Sequence, residues 1–557
     1  MKLYKRLLLD SILLGVVGAL SAQLFIWMLR TIQTLLLGRF AGYQPPGLPH
    51  EAGVLQQIVG PQGLWLIPLV TTFGGLIAGL LVYSFAPEAE GHGTDTAVRA
   101  FHQAGGFIRV RVPLLKMVAS AITIGSGGAA GREGPTALIS AGIGSVYATL
   151  SKRSQEERRL LVLIGMASGL SAIFRSPIGT AIFAIEVLYS DMEFDACALL
   201  YTMLGSVVAY AVNGLFVGWE PLFQVPRSLA VPGFLDYFWY MLLGAVAGLV
   251  ATLLPIVFYG MRDAFAALPI PPHFKPAIGG LGVGLLALIL PQVLGGGYGW
   301  IQQAINGRLA VGLLLPLVFA KMFALGLTVS SGGSGGVFAP SLFVGAMLGG
   351  VLAQLSHQAS AAFVVVGMAA VFAGAARVPI ATMLMVTEMT GGYHLLAAAA
   401  LAVMLSYFTQ VTLSARFKYK SLYEAQVAGR ADSPAHQAEQ LETTIQLLQT
   451  CRICAPPNCS HLDLQALVAS GVPIDLPDGK RLGLGVLKAK SPYVGQSVQK
   501  VFPVDGQEDL EVVAIFREGN TLLPHSGIIL QADDRLLVLA SQEAWSRLEQ
   551  HLSPPSL

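Results

Sequence analysis

One carboxylate of this sequence sits among glycines in an apolar setting, in Gly131-Arg132-Glu133-Gly134-Pro135. A proline close behind a glycine cluster signals the start of a helix. Such a start offers unpaired backbone N–H groups and a partial positive charge of about half an electron. It can hold an anion without a buried cation, and the Glu133 carboxylate would compete for the same place. Gly336-Val337-Phe338-Ala339-Pro340 repeats the glycine and proline spacing without the carboxylate. Two such starts brought together form an anion site; the alternative is that the glycines only let helices pack closely and that Glu133 pairs with Arg132. A second constellation is Cys451, Cys454, Cys459 and His461, four ligand types suited to zinc. Its pairs lie closer together than in common zinc fingers, so reduced cytosolic cysteines are the competing reading. Cys197, in an apolar span, is read as packing.

Positioning these residues falls to elements that live in lipid. Of 557 residues, 54% are hydrophobic and only 12% charged, where soluble proteins carry roughly 25%. The balance of 34 basic against 32 acidic residues leaves little excess for phosphate and argues against a nucleic-acid partner. Disorder, a secreted disulfide scaffold and a typical soluble enzyme are excluded by the same numbers. Apolar stretches long enough for a ~30 Å hydrocarbon core recur, so the chain is a polytopic membrane protein and not an enzyme. Charge is uneven: residues 1–430 form a membrane domain, 431–483 a linker with the cysteine cluster, and 484–557 a small soluble domain. The apolar N-terminal run to Leu29 is read as an uncleaved first helix, and Lys2, Lys5 and Arg6 favour a cytoplasmic N-terminus.

The membrane domain repeats itself. Gly165-Met166-Ala167, Arg175, Pro177-Ile178, Thr180 and Glu186 recur 202 residues later as Gly367-Met368-Ala369, Arg377, Pro379-Ile380, Thr382 and Glu388. The two Gly-Pro segments recur at an offset of 205. Two homologous halves follow, about 60–215 and 270–415, an arrangement common in transporters. Short apolar stretches broken by Gly and Pro within each half are expected to start inside the membrane, with their freed backbone lining a cavity.

Gly131–Pro135, Gly336–Pro340 and, more loosely, Ala86-Pro-Glu-Ala-Glu-Gly-His-Gly93 resemble the signature segments of the CLC family of chloride channels and proton/chloride exchangers. The resemblance covers about residues 10–430 and implies an all-α homodimer of inverted repeats with broken helices, each subunit carrying its own chloride pathway. It implies that Glu133 is the gating glutamate, with Gly131, Arg132 and Gly134 beside it as anion-binding residues. Val337, Phe338 and Ala339 would line the anion site, and Tyr423 would close it from inside, with Tyr419 as a rival. His92 stands where the family usually has an anion-binding serine. Its imidazole would put an N–H donor and a titratable charge beside the anion; the alternative turns it to solvent or to Asp95. The inward position that relays protons in many exchangers aligns with Val187, which cannot titrate. A shift of one residue would give that role to Glu186. Otherwise Glu186 and Glu388 read as buried carboxylates satisfied by backbone N–H groups.

In the tail, Leu484–Lys488, Leu510–Phe516 and Arg535–Ala540 read as short strands, and Ser541–Leu552 as a closing helix. Their order resembles the C-terminal module of RCK domains, whose relatives dimerise and in some cases bind small ligands such as a cyclic dinucleotide. The sequence thus leads to the expectation of channel-like, passive chloride conduction gated by Glu133 in a bacterial inner membrane, with the tail on the cytoplasmic side. Proton/chloride exchange, or a membrane sensor with a vestigial pore, stand as alternatives.

Overall fold

The computed structural model describes residues 2–48, 53–61, 63–191, 196–226, 233–435, 474–475, 480–489, 491–502, 510–517, 520–522, 528–548 and 550–553. They fall into two compact units, Met1–Gln426 and Val427–Leu557.

The first unit is helical. α1 (Lys2–Gln33) runs on into a wider turn, Thr34–Phe40. The first half then supplies α2 (Ile67–Phe85), α3 (Thr94–Gln103), α4 (Arg111–Gly125), α5 (Glu133–Leu150), α6 (Gln155–Phe174), α7 (Pro177–Glu186) and α8 (Ala196–Val217). The order then returns, with the long α9 (Phe234–Ala267) in the place of α1, as α10 (Lys275–Ile289), α11 (Tyr298–Ile305), α12 (Val311–Leu325), α13 (Phe338–Leu355), α14 (Ser360–Ala376), α15 (Pro379–Thr390) and α16 (Leu396–Ser414); α1 packs on α6 and α8 as α9 does on α14 and α16. Eight helices among the described residues are long and apolar enough to cross a membrane. Several others, including α3, α7, α11 and α15, are too short, as the glycine and proline punctuation predicts.

Local signals explain the breaks. α6 opens on a capping box, with the Ser154 hydroxyl accepting from Glu157 N–H. α6 and α14 both end on an arginine, Arg175 or Arg377, held in the left-handed conformation at φ 55° and 57°. Two residues later Pro177 or Pro379 opens the next short helix.

The halves then grip each other reciprocally. The Glu186 carboxylate at the end of α7 accepts from the N–H groups of Ile380 (3.1 Å) and Ala381 (2.7 Å) at the start of α15. Glu388 on α15 accepts from Ile178 (3.2 Å) and Gly179 (2.9 Å) at the start of α7, and from the Ser176 hydroxyl. Each repeated carboxylate thus caps the other half's helix, the favoured end for negative charge. Gly131 and Gly336, equivalent residues, pair antiparallel through two N–H···O=C bonds of 2.7 Å. Equivalent segments meeting this way are related by a local two-fold axis.

The second unit is a sheet in which β1 (Ile474–Asp475), β2 (Lys480–Leu487), β5 (Arg535–Ser541), β3 (Leu510–Arg517) and β4 (Asn520–Leu522) follow in that spatial order, all antiparallel. Its core gathers Leu487, Val512, Ile515, Leu536, Val538 and Trp545. The closing helix is shorter than expected: it covers Gln542–Leu548, and Leu552–Ser553 pair with β2 instead. Gly485 explains the difference, because a Cβ there would overlap Leu552, and its absence lets the leucine pack flat on the strand. Cys451, Cys454, Cys459 and His461 lie outside the described residues.

Candidate functional site

The site is built where three loops meet. Gly91 (φ 67°) and Gly93 (φ 85°) turn the chain into α3, a backbone that L side chains rarely adopt. Gly335 N–H donates to Gly91 O at 3.1 Å, and the Gly131–Gly336 pair closes the other side. Side chains do not fit between these strands of backbone: a Cβ on Gly134 would strike the His92 carbonyl, and one on Gly93 would lie 2.8 Å from Gly134 O. The starts of α3, α5 and α13 therefore converge within van der Waals contact. α5 and α13 begin alike, with proline at the third position, so Glu133 and Gly134, or Phe338 and Ala339, carry the unpaired N–H groups.

Two buried lysines hold this arrangement, and the sequence reading missed both. Lys116 on α4 donates to Ala89 O (3.0 Å) and Gly91 O (2.6 Å). Lys321 on α12, its counterpart in the repeat, donates to Val293 O and Gly295 O, each at 2.6 Å. Carbonyls need such partners when their loop is stripped of water. Their only sequence signal was a lone lysine at the same place in each half, within an apolar run.

Glu133 is 1% exposed and folds back on its own loop: a Cβ on Gly131 would collide with its Oε2. Arg132 turns away toward α11, its guanidinium 4.7 Å above the Tyr298 ring, and lines a cavity of about 390 Å³ with Arg30 and Gln33 of α1. Phe338 packs among Phe174 (4.4 Å), Phe372 (4.1 Å) and Phe183 (6.3 Å). Val337 and Ala339 are buried beside it.

Tyr423 is 2% exposed, with its ring 5.5 Å from His92 and 6.4 Å from Phe183. Burial and the nearby Asp95 charge push its phenol well above the ordinary range, so it stays a neutral donor. Its rival Tyr419 is engaged elsewhere: it stacks on Tyr259 at 4.3 Å and takes a hydrogen bond from Arg262 at 2.9 Å. His92 does not reach solvent, being 6% exposed, and its Nε2 lies 3.4 Å from Asp95 Oδ2. Asp95, named from sequence only as an alternative partner of His92, stands beside that ring. Its two oxygens also accept from Glu424 N–H and Ala425 N–H, both at 3.2 Å, which fixes the segment bearing Tyr423. Val187 is buried at the end of α7, and the neighbouring His102 bonds Leu188 O through Nε2 at 3.1 Å. No group of His, Cys, Asp and Glu among the described residues is arranged to hold a metal ion.

With this geometry in hand, the chain can be compared with known proteins. Residues 74–410 match the family model of the voltage gated chloride channel, and residues 486–553 that of the TrkA-C domain. A protein of Ralstonia nicotianae described as a ClcB-like chloride channel protein is 30% identical over 408 residues, covering 71% of this chain and 92% of that one. The H(+)/Cl(-) exchange transporter ClcA of Citrobacter koseri is 33% identical over 346 residues, covering 59% of this chain and 72% of its own. The crystal structure of a slow cyanobacterial Cl-/H+ antiporter shares the fold, with a TM-score of 0.65 at 20% identity over 74% of this chain and 96% of that one.

Proposed function

The chain belongs to the voltage gated chloride channel family, and on that premise we propose that it exchanges chloride for protons across a lipid bilayer, with Glu133 as the gate. The observation that carries the reading is the Glu133 carboxylate folded onto Gly131 where the starts of α5 and α13 meet. Ionised, it takes the place an anion would take at those N–H groups; protonated, it loses that advantage and an anion displaces it. Each turnover of the gate therefore carries a proton. Exchange is also favoured by the likeness to a relative named as an exchanger.

Passive conduction, the expectation from sequence, is the second reading, and the valine at position 187 favours it. We place the chain in the membrane as a homodimer with one pathway per subunit, its TrkA-C domain taking a small regulatory ligand such as a cyclic dinucleotide. Reconstitution in liposomes separates the readings. Exchange predicts that a chloride gradient drives protons uphill at a fixed ratio. Chloride flux with no proton movement would establish conduction, and no flux in either direction would leave the sensor reading.

A further inference from the structure

We propose that His92 and Asp95 form a site that binds a halide and a proton together, at the inner end of the pathway; this rests on the anion-transport reading above. His92 is more than nine-tenths buried, between the rings of Tyr423 (5.5 Å) and Phe258 (6.2 Å). Its two ring nitrogens are in unlike surroundings. Nε2 faces the Asp95 carboxylate at 3.4 Å, whereas Nδ1 is buried with no hydrogen-bond partner among the described residues. A buried polar atom that no protein group satisfies, at a junction of helix starts, is placed to meet a polar ligand.

The chemistry follows from tautomers. A carboxylate beside Nε2 keeps the single proton of a neutral imidazole on that nitrogen. Nδ1 then presents a lone pair, which repels an anion. A second proton turns Nδ1 into a donor and gives the ring a positive charge, and the same position becomes attractive. Halide and proton thus strengthen each other's binding, by the same factor in both directions. A serine hydroxyl at this position would bind an anion with no proton taken up, which is what the exchange of serine for histidine changes.

The charges around the ring are consistent with one added proton. Asp95 stands on α3 itself and opposes the positive end of that helix. Glu133 on α5 and the neutral phenol of Tyr423 face the same space. The Lys116 ammonium on α4 is spent on Gly91 O, and Tyr259 on α9 donates to Leu422 O. Glu424 is drawn off by Arg262 at 2.6 Å. Asp95 also holds the N–H groups of Glu424 and Ala425. When His92 becomes cationic, the shared carboxylate is pulled toward the ring and its hold on the Tyr423 segment weakens, so loading the site loosens the inner closure.

Calorimetry with sodium chloride on the purified full chain, in chloride-free buffers of differing ionisation enthalpy at pH 5 to 8, tests the site. The measurements are made on Glu133→Gln protein, so that proton uptake by the gate does not contribute. The expected result is uptake of about one proton per chloride bound, with Kd rising about tenfold per pH unit once the imidazole deprotonates. Adding His92→Ser, or His92→Asn if the serine variant does not purify as a single species, should abolish both the uptake and the pH dependence. Chloride binding by Glu133→Gln protein without proton uptake, or equal uptake after His92 is replaced, would overturn the proposal while leaving chloride transport standing. Absence of chloride binding in the wild-type protein would overturn the transport reading itself.

Discussion

In the anion site proposed above Glu133 and Asp95 are both carboxylates, yet their surroundings suit them to opposite duties. Glu133 lies against Gly131 beside the unpaired N–H groups, and in the proposed reading it excludes the anion when ionised. Asp95 is tied to backbone N–H groups and to His92, so it organises donors without occupying their place. Replacing Glu133 by Gln should therefore abolish proton coupling and flatten the pH dependence of chloride flux, measured in liposomes; an unchanged pH profile would remove the gate. His102 makes a separate, structural prediction. It lies on the short α3, and burial pushes its imidazole down to about 4. The unfolded chain binds this proton near pH 6.5 and the folded one does not, so stability falls as pH drops from there to about 4 and then levels. The loss is up to about 3 kcal/mol. Thermal unfolding in detergent should show this decline, and His102→Gln should reduce it; an identical slope in the variant would refute the assignment. Of these residues Glu133 and His92 were legible in the sequence, because glycine and proline frame them, and Asp95 only as a group to which His92 could turn. Asp95 and His102 act through partners as far as residues 425 and 188, which no local pattern announces.

Short helices starting within a membrane expose N–H groups that only protein can satisfy, and the crossed caps of α7 and α15 meet that need. The repetition of Glu186 as Glu388 could be read directly, and so could their burial. The exchange of partners between halves could not, because it joins positions 195 residues apart in sequence. The cap also bears on the proton route. Glu186 is engaged by two N–H groups of α15, so the role of a mobile relay does not fall to it. Glu186→Gln and Glu388→Gln should each cost about 1–3 kcal/mol, the worth of charge-assisted bonds at a buried helix start. Unfolding temperatures of the two variants should drop by similar amounts, and the proton-to-chloride ratio in liposomes should stay unchanged. A ratio lost in Glu186→Gln alone would return the relay to that residue. Lys116 and Lys321 belong to the same logic of paired supports, but a single lysine in an apolar run carries no pattern to read.

At the scale of the whole chain, scarce charge and duplication are two views of one design. The proposed site, assembled from N–H groups at the starts of α3, α5 and α13, needs few fixed cations, and two buried cations of the repeat, Lys116 and Lys321, bind carbonyls. Duplication supplies the second helix start and the second cap, and it extends to α1 and α9, which pack on α6 and α8 and on α14 and α16 and were legible only as apolar length. The division into two units was likewise visible, as a rise in charge near residue 430, because a sheet with one solvated face needs polar residues that a lipid-facing helix excludes. Every residue assigned to the anion pathway, from His92 to Tyr423, lies within the first unit. A chain ending at residue 430 should therefore still fold, bind chloride and keep the proton-to-chloride ratio of the full protein. Any regulatory effect of the TrkA-C domain should then appear as a change in rate at constant ratio. Liposome flux from the two forms at matched protein density checks this. An altered ratio in the shortened chain would mean that the second unit takes part in coupling, and the site would have to be redrawn to include it.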